Sequence, residues 1–408
     1  MPVGTQTRAL IRQHLIDPET CIRCNTCESR CPSQAIRHER NYVVDPAKCN
    51  FCMKCVRPCP TGAVDHYFEL ERPFPVDEQL GWIELPRTLQ EASAEPAPGA
   101  PGIGRTAGAE DAPSNAGECD IAPASASKPQ VNVFTQDKPA RGAVSENFRI
   151  TSDSAENDVH HIIFEFGGVP FPYLEGQSIG IVPPGVDRDG KPHAMRLYSI
   201  ACARDGEKPN TSTLALAVKR VAERGENSHE IRGVASNWLC DLRPGEAVDF
   251  IGPFGSTFLM PNDPEADILM ICTGTGVAPF RGFTHRRRRT YPNASGKLVL
   301  IFGARAPEEL PYYIALQKYV QSELHRELVY SRMLSSEREY VQDRLRQRSR
   351  EVVWFLRRPK AHIYICGLHG LEEGVDAALA AIAGERAMDW PSIKTQLRND
   401  GRYHVETY

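Results

Sequence analysis

Eight of the 13 cysteines lie between Cys21 and Cys59, in two runs that share the spacing C-x2-C-x2-C-x3-C-P. The runs read CIRCNTCESRCP and CNFCMKCVRPCP. Thiolates at this spacing are typical of cubane iron–sulfur clusters, where three cysteines of one run hold one cluster and the fourth reaches the other cluster. The spacing therefore predicts two [4Fe-4S] clusters, one on Cys21, Cys24, Cys27 and Cys59 and one on Cys49, Cys52, Cys55 and Cys31.

Zinc ribbons and buried structural thiols are the alternative interpretations of these cysteines. A zinc site usually combines one C-x2-C pair with a second, distant pair, and it does not use four cysteines in one run. Disulfides are disfavoured because a cytosolic setting is expected. Over about residues 14–70 the sequence resembles the two-[4Fe-4S] bacterial ferredoxins, which implies an α+β ferredoxin-like domain that passes single electrons.

The composition divides the chain into domains. Of the 40 residues from Glu91 to Gln130, 26 are Ala, Pro, Gly or Ser, and they show no apolar period. Such a stretch buries too little surface to offset its ordering entropy. We therefore predict a ferredoxin domain over residues 10–75 and a flexible linker over 86–135.

The remaining sequence predicts a barrel followed by an α/β domain. The segments HHIIFEFGG and TLALAVKRV alternate like short strands between turn residues, which indicates an antiparallel β-barrel over residues 140–258. The segment DILMICTGTGVAPFRGF reads as a strand, a glycine turn and a helix, which places phosphate at a helix N-terminus. An α/β domain is therefore expected over residues 259–408.

Five segments in this order and spacing resemble plant-type ferredoxin–NADP reductases over about residues 145–408. They are RLYS, GVASNWLCDLRPG, TGTGVAPFR, YICGLHGLEEGVD and VETY. The resemblance implies an FAD-binding barrel and an NADP-binding α/β domain.

On the flavin side the resemblance implies contacts from two segments. Arg196 would pair with the FAD pyrophosphate, the Tyr198 ring would pack on the isoalloxazine, and the Ser199 hydroxyl would lie near flavin N5. The first segment is Arg196, Leu197, Tyr198 and Ser199, and the second, at a helix N-terminus on the pyrophosphate, is Gly233, Val234, Ala235 and Ser236. Where an aromatic residue commonly stacks on the adenine, this chain has Val221, Ala222 and Glu223, so a loosely held adenine is expected.

On the nicotinamide side the resemblance implies a phosphate cradle and a catalytic group. The cradle begins at Thr273, Gly274, Thr275 and Gly276 and runs to Pro279. Cys366 and Gly367 would lie beside the nicotinamide, although Cys366 alone could equally be a buried apolar residue. Tyr408, the last residue of the sequence, would stack on the flavin and move aside for nicotinamide. The implied catalytic residues are Ser199, Cys366, Glu406 and Tyr408.

A preference for NADPH is expected from the segment YSRMLSSEREYVQDRL. The 2′-phosphate would meet Ser331, Arg332, Arg338 and Tyr340, and the alternative is an ordinary solvated basic loop. The basic run His285 to Arg289 is expected to be the solvated face of a helix.

Together these parts predict electron flow from NADPH to FAD and on to the clusters, because a hydride carries two electrons and each cubane takes one. In domain order, and in CIRCNTCESRCP and NYVVDPAKCNFCMKC, the chain resembles the reductase components of benzoyl-CoA 2,3-epoxidases. That resemblance implies a separate di-iron oxygenase as electron acceptor, in aerobic benzoate degradation. The alternatives are electron flow toward NADP⁺, another oxygenase as acceptor such as a Rieske enzyme, and a non-catalytic electron-entry subunit of a larger complex.

Charge and hydropathy exclude other classes of partner. The formal net charge of −4 argues against a nucleic-acid binder. No run approaches the ~20 apolar residues of a membrane helix, and no secretory signal is recognised at the start. A cytoplasmic protein without a membrane partner is expected.

Overall fold

A computed structural model describes residues 11–18, 21, 26–39, 41–56, 59, 63–64, 67–70, 72–82, 85–86, 121–168, 171–186, 190, 192–224, 230–333 and 338–408. The chain forms two compact units. The first comprises Met1–Cys119 with Val186–Pro192, and the second comprises Asp120–Gly185 with His193–Tyr408. Each unit is described by itself.

The first unit contains two antiparallel two-stranded sheets and a small core. Strand β1 (Ile11–His14) pairs antiparallel with β4 (Tyr67–Leu70), and β2 (Ile36–His38) pairs antiparallel with β3 (Tyr42–Val44). Two short helices, α1 (Thr26–Arg30) and α2 (Val76–Leu80), accompany them. Two predicted cluster ligands are part of this core. Its members include Ile16, Ala35, Ile36, Tyr42, Val44, Val64, Cys27 and Cys55.

The duplication of the cysteine runs is visible in the backbone. The Asp17 N–H donates to the Ala63 carbonyl and the Asp45 N–H donates to the Ala35 carbonyl, both at 2.8 Å. The same turn precedes each run, because Cys21 N–H donates to Asp17 and Cys49 N–H donates to Asp45. The two halves therefore exchange equivalent hydrogen bonds, which makes one module of the two repeats.

The second unit begins with a six-stranded antiparallel sheet in the order β8-β7-β12-β5-β6-β9. A bridge between Ile200, just after β8, and Leu216 in β9 closes this sheet into a barrel. Its core is rich in aromatic and β-branched residues, as expected for alternating strands. The strands are β5 (Ala140–Arg149), β6 (Val159–Glu165), β7 (Ser178–Ile181), β8 (Arg196–Ser199), β9 (Thr213–Lys219) and β12 (Ala247–Phe254). A short pair, β10 (Ala222–Arg224) and β11 (Glu230–Arg232), and helix α3 (Val234–Asp241) lie between β9 and β12.

The α/β part is a five-stranded parallel sheet in the order β15-β14-β13-β16-β17. The strands are β13 (Asp267–Thr273), β14 (Leu298–Ala304), β15 (His325–Tyr330), β16 (Ala361–Gly367) and β17 (Tyr403–Thr407). The helices that accompany them are α4 (Ala278–Thr290), α5 (Tyr313–Gln317), α6 (Val341–Gln347), α7 (Ser349–Arg357), α8 (Leu371–Gly384) and α9 (Trp390–Asn399). Central strands such as ILMIC read as continuous apolar runs because both faces of a parallel sheet are covered.

Strand order reverses between β13 and β16, and open α/β sheets bind ligands at the carboxyl end of such a reversal. The fold is therefore the predicted one: a ferredoxin-like domain, an antiparallel barrel and an α/β domain. Within the described part of the chain, no helix combines the length and apolarity needed to cross a membrane.

Residues 121–135, part of the predicted linker, have defined contacts in the second unit. The Ser127 hydroxyl accepts hydrogen bonds from Arg204 and Asn262, each at 2.9 Å. The Gln130 carbonyl accepts from the Gln177 amide at 3.0 Å. These contacts place residues 121–135 in the second unit, whereas the prediction assigned them to the linker. The composition could not reveal this because the stabilising donors come from distant parts of the chain.

The expected solvated face at His285 to Arg289 is also wrong in part. The Arg287 side chain is only 4% exposed, and its guanidinium donates to the carbonyls of Pro264, Ala266 and Gly296. Arg289 pairs with Asp205 at 2.9 Å. These arginines attach helix α4 to surrounding loops.

Candidate functional site

Four of the predicted cluster ligands line one cavity in the first unit. The cysteines on its wall come from both runs: Cys31, Cys49, Cys52 and Cys55. This is the complete set predicted for one cluster, including Cys31 from the other run. The donor set fits a [4Fe-4S] cluster, since four thiolates are its usual ligands.

Hydrogen bonds prepare one of these sulfurs to carry negative charge. The Ala35 N–H donates to Cys31 Sγ at 3.3 Å, and the Ser33 hydroxyl lies 3.5 Å from the same sulfur. Burial by itself raises the pKa of Cys31, but these bonds outweigh it and the net shift is downward. At Cys55 burial dominates and raises the pKa to about 11.

The other predicted set is only partly described. Cys27 is buried, Cys21 and Cys59 are partly buried, and Cys24 lies outside the described residues. In the described ranges no three His, Cys, Asp or Glu side chains converge to hold a single metal ion. A cubane takes one thiolate on each of four irons, so its ligands stand apart.

The segment RLYS forms β8 at the edge of the barrel. Arg196 is exposed, so its guanidinium is accessible to a phosphate, and its Nη1 lies 3.2 Å from the Met195 carbonyl. Leu197 and Tyr198 are half-buried, and burial raises the pKa of the Tyr198 hydroxyl. The tyrosine is therefore neutral and can present an apolar ring face.

Ser199 lies beside a carboxylate from the other end of the second unit. Its hydroxyl donates to Glu406 Oε2 at 3.4 Å, and the Ser178 hydroxyl donates to Oε1 of the same carboxylate at 3.3 Å. Burial raises the pKa of Glu406 to about 7, and the two hydroxyls partly oppose that rise. Glu406 therefore changes protonation state near neutral pH, which suits a group that holds or moves a proton.

Cys366 lies next to Glu406 in the sheet. The two residues are in register on β16 and β17, and Cys366 is in register with Cys272 on its other side. Cys366 is fully buried, and burial raises the pKa of its thiol well above the ordinary value. The thiol is therefore neutral. It lies at the carboxyl end of β16, where the sequence predicted it.

The glycine turn after β13 packs closely on Cys366. A Cβ atom at position 276 would lie 2.2 Å from the Cys366 carbonyl oxygen, so only glycine fits there. Gly274 has a positive φ of 54°, which glycine adopts without strain. Thr275 Oγ1 lies 2.5 Å from the Tyr408 hydroxyl oxygen. The turn, which is the predicted phosphate cradle, therefore contacts both Cys366 and Tyr408.

The second predicted pyrophosphate segment begins helix α3. Gly233 is its N-cap and makes no side-chain capping bond, and Val234 is 51% exposed. Ser236 is buried, and its hydroxyl accepts from Val221 N–H at 3.2 Å and lies 3.4 Å from the Gly233 carbonyl. The backbone at this N-terminus is open to an anion, whereas the Ser236 hydroxyl is already in use.

The predicted 2′-phosphate segment follows β15 at one edge of the parallel sheet. Arg332 and Arg338 are exposed, and residues 334–337 between them lie outside the described residues. The Ser331 N–H donates to the Ala304 carbonyl, which attaches this segment to the end of β14. Tyr340 is 47% exposed and caps α6 together with Asp343.

Sequence reasoning missed Ser178 and a network around Arg281. The Arg281 guanidinium, on α4 just after the glycine turn, donates to the Ala201 carbonyl at 2.8 Å and to Glu207 at 2.5 Å. Ala201 follows Ser199 by two residues. Arg281 thus joins the helix of the phosphate cradle to the strand of the flavin segment. The arginine in APFR was the available signal, but its partner is distant in sequence.

Comparisons with known proteins agree with both halves of the chain. The oxidoreductase NAD-binding domain family matches residues 270–377, and the 4Fe-4S dicluster domain family matches residues 13–60. The ferredoxin–NADP reductase of the Cyanophora paradoxa cyanelle is 39% identical over 290 residues, which cover 68% of this chain and 79% of that protein. The ferredoxin–NADP reductase of Spirulina sp is 36% identical over 290 residues and is covered over 98% of its length.

A solved structure shows the same architecture. The crystal structure of a mutant ferredoxin–NADP⁺ reductase from Plasmodium falciparum has a TM-score of 0.54 and 25% identity, over 68% of this chain and 99% of that one. The predicted cofactors are confirmed: FAD and NADP(H) for the reductase part and [4Fe-4S] clusters for the dicluster part. The chain belongs to the ferredoxin–NADP reductase family, as an oxidoreductase that joins a 4Fe-4S dicluster domain and a reductase in one polypeptide.

Proposed function

We propose that this protein takes electrons from NADPH and passes them through FAD and two [4Fe-4S] clusters to a separate oxygenase. The observation that carries the reductase half is the contact of Ser199 and Glu406, beside Cys366 at the carboxyl edge of the sheet. The observation that carries the cluster half is the cavity lined by four cysteines. When bound, FAD accepts a hydride and the clusters carry electrons one at a time.

Within this proposal the residues of the second unit bind and orient. The exposed Arg196 and the N-terminus of α3 hold pyrophosphate, and the turn at Thr273, Gly274, Thr275 and Gly276 receives the nucleotide phosphates. Tyr198 offers a neutral ring face for the flavin. Tyr408, whose hydroxyl contacts Thr275, stacks on the flavin until nicotinamide replaces it.

The catalytic groups are Ser199, Cys366, Glu406 and Tyr408. Glu406 holds a proton near neutral pH, and its ionised form accepts the hydrogen bond of the Ser199 hydroxyl. Cys366 gives the nicotinamide a neutral, buried and water-excluding neighbour. The preference for NADPH rests on the exposed cations Arg332 and Arg338 with Ser331 and Tyr340.

The proposed cluster ligands follow the predicted cross-run pattern. Cys31, Cys49, Cys52 and Cys55 hold one cluster, and Cys21, Cys24, Cys27 and Cys59 hold the other. Fusion in one chain keeps the effective concentration of the clusters near the flavin high. Two clusters can together accept the two electrons that one hydride brings.

The proposed acceptor is the di-iron oxygenase that converts benzoyl-CoA to 2,3-epoxybenzoyl-CoA. Its support is the resemblance of domain order and cysteine-run sequence to the reductase components of such systems. The relatives named ferredoxin–NADP reductase favour one alternative, electron flow from an outside donor to NADP⁺. The direction is therefore part of the test.

The test uses the full-length holoprotein under anaerobic conditions. The holoprotein is mixed with NADPH in a stopped-flow instrument and the flavin absorbance is followed. Samples are frozen for EPR of the reduced clusters. Purified benzoyl-CoA oxygenase component, benzoyl-CoA and O₂ are then added, and NADPH loss is compared with oxygenated product. We expect flavin and clusters to be reduced in turn and NADPH loss to equal product.

Each other outcome removes a different part of the proposal. NADPH oxidation without product would retain the reductase and reject this acceptor. Reduction of NADP⁺ by a reduced donor that is much faster than the forward reaction would reverse the direction. Failure of the holoprotein to oxidise NADPH would indicate a non-catalytic electron-entry subunit. Cys55→Ser is the matched control, because it should retain flavin reduction and lose coupled turnover.

A further inference from the structure

Ser178 lies outside the five recognised segments, yet its hydroxyl contacts the reactive region. It is the first residue of β7, and it is directly opposite Ser199 in the antiparallel pairing of β7 with β8. Residues directly opposite in such a pair project from the same face of the sheet. The two serine hydroxyls therefore point the same way, toward the end of β17.

The two hydroxyls donate to different oxygens of the Glu406 carboxylate. Ser178 donates to Oε1 at 3.3 Å and Ser199 donates to Oε2 at 3.4 Å. A carboxylate held at both oxygens cannot rotate about its last bond without losing one of these bonds. One serine alone would leave that rotation open.

The backbone around Ser178 is well fixed. Ser178 is 6% exposed, and it pairs with β12 at Phe254 as well as with β8. The preceding residue, Gln177, is fully buried, and its side-chain amide donates to the carbonyls of Gln130 and Gly255. This is the environment of a residue that positions another group.

We propose that Ser178 is a positioning residue for the hydride-transfer reaction, which fixes the Glu406 carboxylate so that its second oxygen remains directed at Ser199. Its chemical role is to donate a hydrogen bond to the ionised carboxylate. The inference rests on the proposed function, because it assumes that Glu406 and Ser199 act together at the flavin site.

Because the ionisable neighbours of Glu406 stay neutral around pH 7, a titration in that range can be assigned to Glu406. The ionisable groups that face it are Cys366 on β16 and Tyr408, and Cys272 on β13 lies on the far side of Cys366; burial raises the pKa of each well above the ordinary value. These three groups are therefore neutral around pH 7. Glu406, with a pKa of about 7, is the group in this cluster that changes charge there.

The experiment measures the rate of flavin reduction by NADPH between pH 5.5 and 9 in the full-length holoprotein. The variants are Ser178→Ala, Ser178→Thr and Ser145→Ala. Ser145 is the matched control, because it is another barrel serine and its hydroxyl donates only to the Ile163 carbonyl at 3.2 Å. FAD content and thermal stability are measured for each variant.

We expect Ser178→Ala to slow flavin reduction by about tenfold and to shift the apparent pKa of the pH profile upward by about one unit, since a donor to the ionised form is lost. Ser178→Thr retains the hydroxyl and should restore the parent profile. Ser145→Ala should leave both unchanged. A Ser178→Ala profile that superimposes on the parent would overturn the inference.

A second measurement separates positioning from general damage to the fold. In a Glu406→Gln background the Ser178→Ala change should have almost no further effect on the rate, because Ser178 acts through Glu406. If the two substitutions instead lower the rate by independent factors that multiply in the double variant, Ser178 does not act through Glu406. If Ser178→Ala does not fold, Ser178→Cys replaces it in both measurements. A parent holoprotein that does not reduce its flavin with NADPH would instead contradict the proposed function.

Discussion

Cys366 and Glu406 are direct neighbours on parallel strands β16 and β17, and both end at the edge where the glycine turn after β13 lies. One contributes a neutral thiol and the other a carboxyl that titrates near pH 7. The pairing joins two recognised segments that are 40 positions apart (406 − 366). It brings together two of the residues proposed to act in hydride transfer, although their segments are not adjacent in sequence.

Replacing Cys366 should affect chemistry more than binding. Cys366→Ala is expected to slow flavin reduction by NADPH at least about tenfold, or about 1.4 kcal/mol in the barrier. FAD content should stay at the parent level. Cys272→Ala is the matched control, since Cys272 is an equally buried cysteine in register on the adjacent strand. Equal rates for the two variants in stopped-flow absorbance would remove Cys366 from the reaction.

The raised pKa of Glu406 has a consequence for stability. Its folded-state value of about 7 lies above the ordinary 4.5, so the folded protein holds this proton more tightly than the unfolded chain. The resulting stability is complete below pH 4.5 and is lost as the pH rises through about 7. Glutamine cannot ionise. The difference in melting temperature, Glu406→Gln minus parent, should therefore increase from pH 4.5 to pH 8. A difference that stays constant over this range would contradict the pKa shift.

Discrimination between the two nucleotides should depend on Arg332. Arg332→Ala removes an exposed cation expected at the 2′-phosphate, and a charge-assisted hydrogen bond is worth about 1.5–3 kcal/mol. We expect the KM for NADPH to rise about tenfold or more and the KM for NADH to change less than about twofold. Arg346→Ala is the control, because this half-exposed arginine pairs with Asp343 on α6. Equal increases for both nucleotides would exclude a 2′-phosphate role.

The cross-run ligand pattern makes a specific prediction for the clusters. Cys31→Ala and Cys55→Ala should abolish the same EPR signal of the reduced protein, although the two residues belong to different runs. Cys27→Ala and Cys59→Ala should abolish the other signal. Iron content should fall from about eight to about four atoms per chain in each case. Signals that sort by run, with Cys31 grouped with Cys27, would reject the pattern.

The segment around Ser127 should contribute to the stability of the second unit. Ser127→Ala removes the acceptor of two hydrogen bonds, from Arg204 and from Asn262. We expect a loss of about 1–2 kcal/mol and a fall in melting temperature of roughly 2–5 °C. Ser154→Ala is the comparison, because that serine is exposed and its hydroxyl bonds only within its own turn. No difference between the two variants would mean that the segment is only loosely held.

Local spacing was sufficient for part of this protein. The C-x2-C-x2-C-x3-C-P runs predict the clusters because the reach of a thiolate is set by the few residues between ligands. The strand, glycine turn and helix at Thr273 to Pro279 predict a phosphate cradle because a helix N-terminus is a local object. The five ordered segments likewise predict the fold class and the cofactors, because each segment is a local sequence pattern.

Tertiary structure alone decided the rest. Ser178 and Glu406 are 228 positions apart, and their contact depends on the β7–β8 register and on where β17 ends. Arg287 read as solvated because the three carbonyls that surround it come from other segments. Residues 121–135 read as linker because their donors, Arg204, Asn262 and Gln177, follow much later in the chain. Sequence patterns record spacing along one segment, whereas these contacts are made by groups that meet only once the sheets have formed.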